Sequence, residues 1–314
     1  MTRPHLLCWA ISLGGFLTGF STCAQRLPTA PALQAGETIV YQVEISSSRS
    51  TKVESQVTSP QSPPTEELVA RCLLQVHVLE ASLKGFRLKT YLSKKNLSQA
   101  SGRSPETQTE TPDRVVELFV ARDGTASDIK GISDLTVAEH FAWNAWLNRF
   151  SSSMTFPTSG VRPGQRWKSS ENEASPSPIA GLSWERKYEY VKQESCDTKT
   201  PVRGNRGSSR SMADTCAVIF VHAQLRQRTS PQNTTPEDYK YRSLTTSGTA
   251  TGTNETILYI STTTGLLVHS SEDAQQSMDV IVSLADGSNK IRYLIGAKSR
   301  SQMALLPDVP QDIR

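Results

Sequence analysis

Four histidines lie beyond the first two dozen residues: His77, His140, His222 and His269. An imidazole changes charge near neutral pH and binds metals, so it is the side chain to test first for chemistry. His77 and His222 each come shortly after a cysteine, Cys72 and Cys216. If two halves of the chain packed face to face, the rings would meet as metal ligands or as an acid–base pair, which is the basis of a hydrolase reading. Alternation along a strand, however, turns either ring to solvent with no chemistry implied. Glu139 beside His140 resembles a dyad, but Glu139 also stands three residues after Thr136, where a helix cap needs it. The carboxylate groupings Glu66-Glu67, Glu185 with Glu189, and Glu272-Asp273 lack the aromatic, polar setting of a glycosidase pair and read as solvated faces. His-Glu-x-x-His, Gly-x-Ser-x-Gly, a phosphate loop and Cys-x-x-Cys are absent from the sequence. No catalytic residue, metal ligand or cofactor is therefore assigned. Lys199, Arg203, Arg206 and Arg210 have no aromatic residue between them to stack a base, and the formal charge is only +4, so no nucleic-acid partner is expected.

The cysteines depend on where the chain resides. Arg3 and His5, an apolar run from Leu6 to Phe20, and Thr22-Cys23-Ala24 read as a secretory signal peptide over residues 1–24. The mature chain is expected in the periplasm or outside the cell, with no transmembrane span. Cys23 offers the alternative of a lipid anchor, although Phe20-Ser21-Thr22 fits a lipoprotein cleavage site poorly. Cleavage leaves Cys72, Cys196 and Cys216. Cys196 and Cys216 flank a polar stretch that cannot order itself, and a disulfide between them would tether two strand ends, contributing on the order of 3 kcal/mol. Cys72 shares the apolar phase of Leu74, Val76 and Val78 and is expected as a buried free thiol.

The elements follow from periodicity. Ile39 to Ile45, Phe86 to Leu92, Trp184 to Tyr190, Ile219 to Leu225, Met278 to Leu284 and Ile291 to Ile295 alternate with period two, with turns at Lys84-Gly85, Asp123-Gly124 and Asp286-Gly287. The expected fold is mainly β: antiparallel sheets, as a half-barrel or sandwich, with one central amphipathic helix over 136–150. Ser47–Pro64, Asn96–Pro112, Asp197–Thr215 and Arg228–Glu237 are polar enough to be disordered. Gln34-Ala35-Gly36-Glu37 resembles Arg162-Pro163-Gly164-Gln165, and Cys72–Val78 resembles Cys216–His222. These likenesses divide the chain into a first β unit at 25–160, a second at 161–300 and a flexible tail at 301–314.

Trp143, Trp146 and Phe150 form the aromatic stripe of the helix. Packed against a sheet they either fill a core or border a pocket for an acyl chain or other apolar ligand. The Gly-Glu strand opening, the Asp-Leu-Thr helix rich in Trp, Phe156-Pro157 and Val161 to Trp167 resemble uncharacterised exported β-rich proteins of soil bacteria, a group with no known activity. Long strands around an aromatic helix are more distantly similar to the half-barrels of lipoprotein-localisation carriers, though the polar inserts depart from those compact proteins. Together the sequence leads to a non-catalytic extracytoplasmic binding or envelope-assembly protein whose partner is an apolar small molecule or an envelope protein. The rival readings are a hydrolase of unrecognised type and a structural surface protein.

Overall fold

The computed structural model describes residue 27 and residues 30–55, 65–93, 97–98, 114–157, 159–172, 177–196 and 214–306. The segment expected to be a signal peptide, with Cys23, most of the 96–112 stretch, the basic group between Lys199 and Arg210, and residues 307–314 lie outside them.

The first run of strands is β1 (Thr38–Ser55), β2 (Glu66–Ala81), β3 (Gly85–Ser93), the short β4 (Leu97–Ser98), β5 (Arg114–Ala121) and β6 (Ala126–Lys130). Helix α1 (Val137–Ser152) follows. The second run is β7 (Arg166–Asn172), β8 (Leu182–Ser195), β9 (Thr215–Gln227), the short α2 (Glu237–Tyr241), β10 (Leu244–Ser261), β11 (Leu267–Leu284) and β12 (Ile291–Leu306). All belong to one antiparallel sheet in the order β6-β5-β3-β2-β1-β12-β11-β10-β9-β8-β7, with β4 pairing beside β2. The first run meanders outward from β1 to the edge at β6. The chain crosses through α1 to the opposite edge at β7 and meanders back, and β12 joins β11 to β1. The sheet is open, with β6 and β7 as its edges.

The period-two pattern gives this sheet one apolar and one polar face. Tyr41, Val43 and Ile45 of β1, Cys72 and Leu74 of β2, Leu88 of β3, Leu118 of β5 and Val221 of β9 are buried on the apolar face. Gln42, Glu44 and Ser46 of β1 stand on the other, at best half-buried. The larger core lies on the apolar face against α1. A smaller one, built from Ile179, Leu182, Leu225, Ala250 and Val280, occupies another part of that face.

The expected helix starts within a residue of α1 and ends two residues short of it. Other expectations need correction. Ser47–Ser55, read as disordered, continues β1 and pairs with β12 from Ser299 back to Ile291. Its backbone is held from the side, so the weak side chains do not decide its state. Arg228–Glu237 is likewise structured: Thr234 and Thr235 are buried and bond the backbone and hydroxyl of Thr246. Residues 301–306, expected in the flexible tail, are strand: β12 runs to Leu306 with Ser301 opposite Ile45.

The likeness between the two runs is sharpest at their opening turns. Gly36 (φ 85°) donates its N–H to Val78 O at 2.8 Å, and Gly164 (φ 83°) donates to Tyr190 O at 2.6 Å. In each turn the fourth residue, Glu37 or Gln165, accepts the first residue's N–H on its side chain, at 2.9 and 3.2 Å. The register then shifts beside each, after Val78 and after Tyr190. By this geometry β1–β2 matches β7–β8. Cys72 on β2 and Cys216 on β9 therefore do not correspond, and the sequence match between them was displaced by one strand.

Candidate functional site: the helix-covered face

Helix α1 begins at a complete capping box. Thr136 Oγ1 accepts the Glu139 N–H at 3.3 Å and Glu139 Oε2 accepts the Thr136 N–H at 2.7 Å. Glu139 is buried, and Arg114 at the start of β5 lies 3.4 Å from it. The inward stripe is Ala138, Ala142, Trp143, Trp146, Arg149 and Phe150. Trp143, Trp146 and Phe150 are 1%, 0% and 0% exposed, so the three aromatics predicted to face the sheet do so. Trp146 stacks on Phe150 at 5.2 Å and tilts against Trp143 at 6.3 Å. The Trp143 indole N–H donates to Thr90 Oγ1 at 3.1 Å, and that hydroxyl donates to Val116 O at 3.1 Å. This relay satisfies two polar groups inside an apolar layer. The Trp146 indole N–H has no such partner among the described residues.

Arg149 is the unexpected member. It is 1% exposed, donates to Ser301 Oγ and to Ala145 O, and lies 3.5 Å from Glu272. Burial holds its pKa below the usual arginine value, with Glu272 opposing that shift. Sequence reasoning missed it because an arginine breaks an aromatic stripe; its i, i+3 spacing from Trp146 was the available signal. At the helix end, a Cβ on Gly124 would stand 2.4 Å from the Ser151 carbonyl oxygen. Only glycine lets the β5–β6 turn press against the last turn of α1.

Cys72 is buried as expected, and its thiol is pushed up to about 12, first by desolvation and then by the nearby Glu139 charge. Cys196 and Cys216 form the anticipated disulfide, with Cα atoms 4.9 Å apart, linking the end of β8 to the start of β9. Such a bond belongs to an oxidising, extracytoplasmic compartment. Among the described residues no helix is long and apolar enough to cross a membrane.

The histidine pair is not assembled. His77 on β2 bonds Thr38 Oγ1 at 2.9 Å, while His222 on β9 lies 3.7 Å from Glu255. Four strands stand between β2 and β9, so the rings are separated by five strand spacings, roughly 24 Å. His140 is exposed and meets Asn144 at 3.1 Å. The Glu185 and Glu189 carboxylates are taken up by cations, Arg226 at 3.1 Å and Arg166 at 3.0 Å. Alternation splits Glu272 from Asp273, sending one beneath α1 to Arg149 and the other to Arg300 at 2.8 Å. Among the described residues no three His, Cys, Asp or Glu side chains cluster as metal ligands.

No protein-family model and no curated protein matches the chain. Solved structures with similar backbones include one described as lipid–protein interactions in lipovitellin, with TM-score 0.44 and 11% identity over 88% of this chain and 26% of that one. The outer-membrane protein OprG from Pseudomonas aeruginosa gives a TM-score of 0.19 at 8% identity, covering 88% of this chain and 98% of its own. An outer-membrane channel from Pseudomonas putida F1 gives 0.19 at 8% identity, with 88% and 97% covered. This chain spans about a quarter of the length of the lipovitellin chain.

Proposed function

We propose that this chain is a non-catalytic extracytoplasmic binding or envelope-assembly protein that holds an apolar small molecule between α1 and the apolar face of the sheet. One observation carries the reading: the aromatic ridge Trp143, Trp146 and Phe150 is the cover of the larger apolar area of a sheet that is open at both edges. An apolar ligand takes the place of aromatic contacts with sheet contacts of equal kind, so exchange exposes little apolar surface to water. The half-barrel likeness to lipoprotein-localisation carriers, noted in the sequence, agrees with this role. The two histidines that a hydrolase would need stand too far apart to cooperate, which weakens that alternative.

Native mass spectrometry of protein exported and purified from its own host tests the reading. A co-purifying apolar molecule, released by organic extraction and lost in Trp146→Ala, is the expected result. A clean unliganded mass, with no uptake of a neutral naphthylamine dye, overturns it.

A further inference from the structure

The polar face of the sheet carries a feature that the helix-covered side does not need. On β7, β8 and β9, Lys168, Lys187 and His222 are successive cross-strand partners, so three nitrogen-bearing side chains line one row. Side chains directly opposite each other in such a ladder stand about 5 Å apart at Cβ, and like charges there repel. Neighbouring cations are neutralised: Arg166 by Glu189 at 3.0 Å, Arg226 by Glu185 at 3.1 Å and Lys192 by Glu194 at 2.5 Å. Lys168 and Lys187 have no carboxylate within ion-pair distance among the described residues, and the Glu255 beside His222 lies on its far side, on β10. Phe220 is adjacent, half-buried on the same face of β9 as His222, Gln224 and Arg226, and opposite Ile257. These residues, with Arg166 and Glu189, line a depression of about 410 Å³.

We propose that this depression is a binding site for a small organic anion, its phosphate or carboxylate oxygens between Lys168 and Lys187 and its apolar body on Phe220. The chemistry is complementary: an oxyanion removes the lysine–lysine repulsion, and the aromatic ring supplies the apolar contact that a free inorganic ion cannot use. The site is on the face opposite α1, so it stands or falls independently of the apolar-ligand reading.

Isothermal titration at low salt with 1-naphthyl phosphate, 1-naphthol and inorganic phosphate tests it. The expected result is saturable one-to-one binding of naphthyl phosphate, with naphthol and phosphate each at least about tenfold weaker. The double variant Lys168→Gln/Lys187→Gln weakens naphthyl phosphate binding about tenfold or more, whereas Lys168→Arg/Lys187→Arg retains it. Raising the salt weakens binding, as for exposed charges. Unchanged affinity in the Gln variant, naphthol binding as tightly as naphthyl phosphate, or no saturable binding in the wild type overturns the proposal.

Discussion

The two cores lie on the same face of the same sheet and are finished differently. The larger is closed by a sixteen-residue helix carrying two tryptophans and a phenylalanine, all nearly inaccessible to water. The smaller has no helix over it; it is built from Ile179, Leu182, Leu225, Ala250 and Val280, and Trp184, Met278, Val282 and Tyr293 around it remain partly exposed. Strand alternation supplied both apolar areas; what differs is the size of the cover. The larger core is capped by one separate helix, whereas the loops beside the smaller one, before β8 and after β9, are tied to each other by Thr229 Oγ1 donating to Ala180 O at 2.7 Å.

The contrast is most exposed to test by truncation. Trp146→Ala removes a fully buried indole and is expected to cost about 3–5 kcal/mol, against roughly 2 kcal/mol for Val280→Ala in the smaller core, both read from urea unfolding. Equal losses would erase the distinction. The buried arginine sharpens it next. Glu272→Gln leaves Arg149 with less compensation and is expected to cost about 2 kcal/mol, while Arg149→Met, which removes the charge itself, costs less. The reverse order would mean that the ion pair, rather than the aromatic contacts, fastens α1.

The smallest effect concerns Cys72 beneath the helix. Its folded pKa is raised to about 12 from an ordinary value of 9.0, so the protonated thiol favours the folded state. That contribution is complete below pH 9 and is lost as pH rises towards 12, at up to about 1.4 kcal/mol per pH unit. Unfolding midpoints at pH 8 and pH 10 should therefore fall further in the wild type than in Cys72→Ala. Parallel behaviour would show that the thiol is not sealed under α1.

Much of this arrangement was legible in the residues. Tyr41, Val43 and Ile45 declared their face by alternation, Trp143, Trp146 and Phe150 by helical spacing, and Thr136 with Glu139 by capping chemistry. The disulfide followed from two cysteines flanking a stretch unable to order itself. The hidden parts were those whose order comes from neighbours. Ser47 to Ser55 has little intrinsic preference and is extended because β12 pairs with it. Arg149 is buried only because Ser301 and Glu272 await it on two strands more than a hundred residues later. The lysines beside Phe220 come together only through the β7–β8–β9 register.

The placement of β12 also bears on how the molecule is made. Its partners are β1, more than two hundred residues earlier, and β11, immediately before it. A ribosome or an export channel delivers the chain in order, so the two meanders can form separately but cannot be sewn together until this strand emerges. Until then the inner borders of β1 and β11 are both bare, and a nascent chain has two adhesive seams to shield. Seam closure by a late strand makes the interval just before its arrival the time when a chaperone matters most.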